Sequence, residues 1–212
     1  MANTNAPFGL MPVSYASGAP YTGGGRVYHI DSTDAVAYYI GDPVALLGVE
    51  GTQTSDANGI PSILKVSAAG ITLWLGPVIG ILPVNPNDPS CAGTSLALEQ
   101  TYIPATKTSD YYVLVADDPN LIFEMQGDST ATNKTAAKST YNADITVATP
   151  SAGGQSASVI ADSTVALTAT LPLKLMGLSQ RKFTSGNAFG AYATYYCKIN
   201  NHQYGNIVAT LA

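Results

Sequence analysis

The sequence predicts a mainly β protein, built as a single β-sandwich or jelly-roll-like domain, or as a barrel, of roughly ten short strands with an extended N-terminal arm. Segments in which apolar and polar residues alternate with a period near two recur along the chain, and they are enriched in Val, Thr and Tyr. Gly and Pro separate these segments at short intervals, and no long amphipathic helix pattern alternates with them. The length of 212 residues fits one domain.

The arm comprises residues 1–22, which are rich in Pro, Gly, Ala and Asn. Pro7, Pro12 and Pro20 each disfavour a helix at the preceding residue, so the segment is predicted to be extended. Its spaced apolar side chains are anchors that need a surface to lie on. They either contact another protein or a second copy of this chain, for instance by adding a strand to a sheet edge, or they cover the chain's own domain. The anchors are Phe8, Leu10, Tyr15 and Tyr21.

Residues 23–212 form the predicted β domain. Turn signals divide it: Asn58-Gly59 precedes one strand, and Asp117-Asp118-Pro119 separates two others, because Asp side chains cap a bend and Pro fixes φ. A short helix is expected within 133–141 and a loop tip at 150–158, and the Thr-, Ser- and Ala-rich stretch 129–170 is a possible local elaboration. The predicted strands lie within 25–31, 35–40, 44–49, 63–66, 76–84, 110–119, 120–128, 143–149, 158–169, 171–179 and 191–200.

Charge is scarce in this chain. Charged residues make up 11% of it, and the formal net charge is -5. Nine Lys and Arg residues, scattered singly, do not form the basic stripe that phosphate backbones require, so nucleic acid is not an expected partner. A surface of mostly neutral polar residues has little charge repulsion and suits lasting contact with other protein. No apolar run has the length of a membrane span and the N-terminus lacks a signal-peptide pattern, so synthesis in the cytoplasm without membrane insertion is expected.

Near the end of the chain, Cys197 and His202 could serve as a nucleophile and its base. If 191–199 is a strand, Cys197 shares a face with Ile199, and such an apolar setting raises the pKa of a thiol. The stretch is therefore interpreted as a strand with a packed Cys, followed by a His that forms a hydrogen bond. Two His and two Cys, with Cys91 in a distant segment, do not indicate a zinc site.

The acidic residues do not point to a reaction either. Asp31 with Asp34, and Asp117 with Asp118, could offer oxygens to calcium, but neither pair has the spacing of a calcium loop, and turn capping is favoured. No two carboxylates are singled out for glycoside hydrolysis, and no G-x-S-x-G motif occurs. The sequence therefore predicts a non-enzymatic protein without a metal or a cofactor.

A set of phrases in a fixed order resembles one family, the structural cement (decoration) proteins of tailed bacteriophages. The resemblance spans the chain from about Asn5 to about Asn206 and thins between residues 129 and 170. The phrases are NAPFGLMPV, SGAPYTGGGRVYHI, YYIGDPVALLG, VADDPNLIFEMQGD, YNADI, LPLKLMGLS and KINNHQYGN.

That resemblance implies a non-enzymatic virion protein on the outer surface of an icosahedral head, where it clamps neighbouring subunits of the major capsid protein and stabilises the capsid. It also implies a homo-oligomer, a dimer or a trimer, on the capsid lattice. Under this hypothesis the four anchors of the arm contact the capsid or a sister copy, and deleting residues 1–16 is expected to abolish capsid binding while leaving the β fold.

The alternative is a carbohydrate-binding or adhesin-like β-sandwich module. The 13 tyrosines could supply rings that stack on sugars. Against it, Trp74, the single Trp, lies in a segment predicted to be a buried strand, and an adhesin would need an export signal.

Overall fold

The computed structural model describes residues 3–48, 54–66, 73–82, 101–150, 154–180 and 186–205. Within these ranges the protein is mainly β, as predicted, with fourteen strands and two short 3-10 helices, Ala136–Lys138 and Asp162–Thr164. The strands are β1 (Met11–Tyr15), β2 (Arg26–Ile30), β3 (Tyr38–Tyr39), β4 (Pro43–Leu46), β5 (Ile63–Lys65), β6 (Gly76–Leu82), β7 (Tyr102–Ile103), β8 (Tyr111–Val115), β9 (Leu121–Gln126), β10 (Asn142–Ala143), β11 (Ile145–Thr146), β12 (Val159–Ile160), β13 (Leu173–Leu178) and β14 (Thr194–Ile199).

The strands form two five-stranded antiparallel sheets and two small ribbons. Sheet I has the order β1-β9-β14-β13-β10, and sheet II has the order β2-β8-β6-β4-β5. The ribbons are β3-β7 and β11-β12. No sheet of the described strands closes into a barrel, so of the two predicted architectures the sandwich-like one is confirmed.

The pairing of the first nine strands is nested. β1 pairs with β9, β2 with β8, β3 with β7 and β4 with β6, while β5 pairs with β4 at the turn of this folded hairpin. Jelly-roll sandwiches share such nesting, because a long hairpin folded over itself places alternate pairs in opposite sheets. The predicted Asp117-Asp118-Pro119 turn carries the chain from sheet II to sheet I, and Asp118 Oδ1 caps it by accepting the Asn120 N–H at 2.7 Å.

Sheet II is buried on both faces. In β4, Ala45 belongs to the core between the sheets, whereas Val44 belongs to a second core on the other face, which Tyr38 and Ile103 of the ribbon β3-β7 help to form. This explains the nearly continuous apolar runs of its strands, since a sheet covered on both sides loses the in-and-out alternation. The core between the sheets includes Leu10, Phe123, Met125, Leu173, Leu175, Tyr195, Cys197 and Ile199 together with Trp74, Ala116 and Val66.

The N-terminal segment is part of the domain rather than a separate arm. β1 is the edge strand of sheet I, and Leu10 is fully buried in the core of its own chain. The Leu10 N–H donates to Gly41 O at 2.8 Å, and the two backbones cross so closely that a Cβ on Gly9 would lie 2.3 Å from the same oxygen. Of the two possibilities that the sequence left open, the segment therefore covers its own domain, and the expectation that Leu10 contacts a partner is wrong for this conformation.

The stretch 129–170 is also integral to the domain. It contains a 3-10 helix inside the predicted short helix, and β10 extends sheet I beside β13. Residues 151–153 of the predicted loop tip lie outside the described residues, but Ser156 and Ser158 are fully buried, so that end of the loop is interior. The stretch contributes to the core Ala143, Ile145, Ile160 and Val165. A peripheral elaboration would leave these side chains exposed.

Candidate interaction surface

The four predicted anchors do not form one continuous surface. Leu10 is interior, as described above, while Phe8, Tyr15 and Tyr21 are half-buried. The rings of Tyr15 and Tyr21 lie 6.3 Å apart between centroids, and the Tyr21 hydroxyl donates to Gly24 O at 2.7 Å. The structure thus brings two anchors together at the start of the β1–β2 connection and leaves Phe8 partly exposed elsewhere along the segment.

Hydrogen bonds fix the start of the segment to sheet I and to the loop before β14. The Asn3 amide nitrogen donates to Ala188 O at 2.8 Å, and the Ala188 N–H donates back to Asn3 Oδ1 at 3.0 Å. Gln126 of β9 accepts the Ala6 N–H at 3.0 Å and donates to Thr4 O at 2.9 Å. These reciprocal pairs hold residues 3–6 as part of a rigid surface.

The outer edge of β1 is a poor template for another strand. Pro12 has no N–H to offer. The chain also folds back over this edge, so that the Tyr15 N–H donates to Ala19 O at 2.8 Å and the Tyr21 N–H donates to Val13 O at 3.1 Å. Because these outward backbone groups are paired, the geometry does not favour the strand-addition mode considered from sequence.

The outer face of sheet I presents apolar side chains. Tyr195 and Cys197 point into the core, so Tyr196 between them points outward, and Met176 follows the inward Leu175 in the same way. Met176 is 46% exposed. An open hollow of about 480 Å³ on this face is lined by residues 11–14 and Tyr196. The N-terminal segment thus contributes Met11 to an outward surface that the sequence did not single out.

Two lysines lie directly opposite each other on the same face. Lys174 of β13 pairs in register with Lys198 of β14, and both side chains are half-buried. Among the described residues neither ammonium forms an ion pair with a carboxylate. Like charges opposite each other in a sheet destabilise it unless a counter-charge lies nearby. We call the set Met11, Met176, Tyr196, Lys174 and Lys198 the sheet I face.

A polar cleft lies where three connections meet: β1–β2, β8–β9 and the loop after β14. Its volume is about 480 Å³. Arg26 Nε lies 3.5 Å from Asp117 Oδ2, and the Arg26 guanidinium lies 5.4 Å from the centroid of the Tyr204 ring. The buried Asp117 also accepts the Tyr28 hydroxyl at 2.7 Å. We call this the Arg26 cleft, and its lining residues are Tyr15, Gly24, Gly25, Arg26, Asp117, Asp118, Pro119, Asn120 and Tyr204.

Cys197 and His202 have the structural surroundings that the sequence predicted. Cys197 lies in β14 and is fully buried, and this burial raises its thiol pKa well above the usual range. His202 is buried beside Trp74, accepts the Tyr204 N–H on Nδ1 at 3.0 Å, and has its pKa lowered by burial to about 4. The interpretation of the stretch as a strand followed by a hydrogen-bonded His is confirmed. The other cysteine, Cys91, lies outside the described residues.

The aspartates serve mainly as turn caps. Asp31 Oδ1 accepts the Thr33 N–H at 2.7 Å, and Asp34 Oδ1 accepts the Val36 N–H at 3.0 Å, as predicted. Asp117 differs, because it belongs to the Arg26 cleft. Within the described ranges no group of His, Cys, Asp or Glu is arranged to hold a metal ion. The described ranges also contain no helix with the length and apolar character to cross a membrane.

One Ser-His-Asp arrangement was not foreseen from sequence. His29 Nδ1 lies 2.8 Å from Ser62 Oγ, and its Nε2 lies 3.3 Å from Asp110 Oδ2. Ser62 and His29 are both buried, and the backbone N–H of His29 also donates to the backbone oxygen of Pro61 at 2.9 Å. These contacts join the two edges of sheet II, β2 and the start of β5. Their role is structural rather than catalytic, because the serine hydroxyl is buried and a substrate could not reach it.

Comparison of the chain with protein-family models, with curated proteins and with solved structures gave no significant match.

Proposed function

We propose that this protein is a structural cement protein that binds the outer surface of a phage capsid through the sheet I face. The proposal combines the resemblance of the sequence phrases with one structural observation. A rigid sheet surface carries exposed or half-buried Met176, Met11 and Tyr196 beside an opposed lysine pair that has no carboxylate partner among the described residues. Such a surface is suited to adhesion.

The composition of this face indicates the chemistry of its partner. Burying methionine and tyrosine side chains against another protein gains about 25 cal/mol per Å² of apolar area removed from water. A carboxylate placed near Lys174 and Lys198 relieves their mutual repulsion, and a like-charged partner would be rejected. The expected contact on the major capsid protein is therefore an apolar patch with at least one acidic side chain at its rim.

The stabilising mechanism is linkage. A ligand that binds only the assembled lattice shifts the equilibrium toward that lattice by mass action. A contact of about 1,000 Å² is sufficient for specific binding. If the protein acts as a dimer or trimer on the lattice, each oligomer joins several capsid subunits, and a clamped subunit must break several contacts at once to leave.

The test is co-sedimentation of the purified protein with expanded, empty heads of the phage that carries its gene, prepared without that gene product. Wild-type protein should sediment with the heads and raise the temperature at which they disrupt. Met176→Asp should reduce binding strongly, because it places a charge in the contact. Val36→Asp is the matched control, since Val36 is 44% exposed and lies next to β3, away from sheet I.

Absence of wild-type binding would end the proposal, and equal binding by both variants would remove the sheet I face from it. Deletion of residues 1–16 is a weaker test than the sequence suggested, because it removes β1 and the buried Leu10 and so damages the fold. Contact of Phe8, Tyr15 and Tyr21 with the capsid stays a prediction. Tyr15→Ala combined with Tyr21→Ala in the same assay tests the paired rings.

A further inference from the structure

We propose that the Arg26 cleft is a binding site for a neutral saccharide, separate from the capsid-binding face and independent of it. The cleft volume of about 480 Å³ falls within the range of small-molecule sites. Its lining is made of a guanidinium, carboxylates, an amide and tyrosines. These groups offer hydrogen-bond donors and acceptors together with ring surface.

One wall of the cleft is fixed before any ligand arrives. Asp117 is buried and accepts the Tyr28 hydroxyl at 2.7 Å, while its Oδ2 lies 3.5 Å from Arg26 Nε. The Tyr204 ring lies under the guanidinium, 5.4 Å from centroid to Cζ, and the Tyr204 hydroxyl is 3.3 Å from that of Tyr28. The buried pair of Tyr28 and Asp117 loses little freedom when a ligand binds, which favours affinity.

The other wall carries polar groups that are free to bind. The Asp118 carboxylate uses Oδ1 to cap Asn120, and its Oδ2 has no partner among the described residues. The side-chain amide of Asn120 and the Tyr15 hydroxyl likewise make no hydrogen bond to any of the described residues. These three groups come from β1 and from the β8–β9 turn, so the fold brings together side chains that are about a hundred residues apart in sequence.

The charges of the lining determine the class of ligand. Arg26 is paired with Asp117, so Asp118 leaves the lining with a net negative charge that repels an anion such as a phosphate or a sulfate. A neutral ligand rich in hydroxyls avoids that penalty. Its hydroxyls can donate to the free carboxylate oxygen and accept from the guanidinium and the amide, while its C–H faces pack on a tyrosine ring. A saccharide has this chemistry.

The experiment is a binding screen of the full-length protein on an array of neutral, sialylated and amino-sugar oligosaccharides, followed by calorimetry with the best neutral ligand. Binding to neutral glycans is expected, with weak or no binding to the sialylated ones. Tyr15→Phe and Asn120→Ala should each weaken binding about three- to tenfold, since each removes one hydrogen bond to the ligand and none within the described protein. Tyr102→Phe is the control, because Tyr102 is a comparably exposed tyrosine on β7, at 39%.

Several results would overturn the proposal: no glycan binding at millimolar concentration, a preference for charged glycans, or unchanged affinity in both cleft variants. Asn120→Ala should decorate phage heads as the wild type does, because Asn120 belongs neither to the sheet I face nor to the anchors of the N-terminal segment. If this variant loses head binding while no glycan binds, the cleft holds a protein partner and the saccharide assignment is wrong. A protein that binds glycans but not heads would leave this inference standing and refute the proposed capsid function.

Discussion

Leu10→Ala tests whether the N-terminal segment folds on its own domain when the protein is free in solution. The Leu10 side chain is fully buried between the two sheets. Truncating a buried leucine to alanine costs about 2 to 5 kcal/mol, with the larger values at sites that cannot collapse. The backbone here is held by the crossing with Gly41 and by the pairing of β1 with β9, so the cavity cannot close easily. We therefore expect a loss of about 3 kcal/mol in the free energy of unfolding.

The assay is urea unfolding followed by tryptophan fluorescence. Trp74 is the single Trp and is fully buried in the same core, so its emission reports on the packing of the two sheets. For a domain of this size the expected loss also lowers Tm by about 6 to 12 °C. Leu167→Ala is the matched control, because it deletes the same atoms from a leucine that is 72% exposed. Its effect should stay within about 0.5 kcal/mol.

A Leu10→Ala effect as small as that of Leu167→Ala would refute the reasoning, since it would mean that the segment is free and that the anchors await a partner. Repeating the measurement over a range of protein concentrations separates a third possibility. An unfolding midpoint that rises with concentration in the wild type but not in Leu10→Ala would show that another copy of the chain contacts Leu10.

Two further perturbations have definite expected outcomes. In the same urea assay, Gly9→Ala should lower the free energy of unfolding clearly more than Gly18→Ala. Both glycines have a positive φ, 73° for Gly9 and 90° for Gly18, so both substitutions strain the backbone. Only at Gly9 does an added Cβ also lie 2.3 Å from Gly41 O. Equal costs would contradict the close crossing. Burial lowers the pKa of His202 to about 4, so the folded state favours the neutral imidazole, and stability should fall by up to about 3 kcal/mol as pH drops from 6.5 to 4. His202→Asn, whose side-chain oxygen can still accept the backbone N–H, should lose that part of the pH dependence, and a variant with the wild-type slope would show that other groups cause it.

Local sequence signals were sufficient for most strands. The alternation around Tyr28, the apolar run of β9 and the strand character of β14 each predicted an element that the structure contains. The caps at Asp31 and Asp118 were also predictable, since an Asx turn needs only the two residues that follow.

The features that the sequence does not reveal depend on pairing between distant segments. Pro12 and its Gly- and Pro-rich neighbours predict an extended segment that lies either on a partner or on its own domain, and only the pairing of β1 with β9 decides between the two. The contact of His29 with Ser62 joins residues that are 33 positions apart in sequence and lie at opposite edges of sheet II. The opposition of Lys174 and Lys198 follows from the register of two strands, which neither strand reveals alone.

Under the proposed function, the folded position of the N-terminal segment lowers the entropic cost of binding to the capsid. A free arm must lose conformational entropy when it binds, at about 1 to 2 kcal/mol for each backbone residue that becomes ordered. Here that ordering has already occurred on folding, because Leu10 is buried in the core and Gln126 forms hydrogen bonds with the backbone of Thr4 and Ala6 before it. The segment instead contributes Met11 to a preformed face. Binding through such a face costs little further ordering, so a modest apolar contact beside two lysines can supply useful affinity even in a chain with few charges.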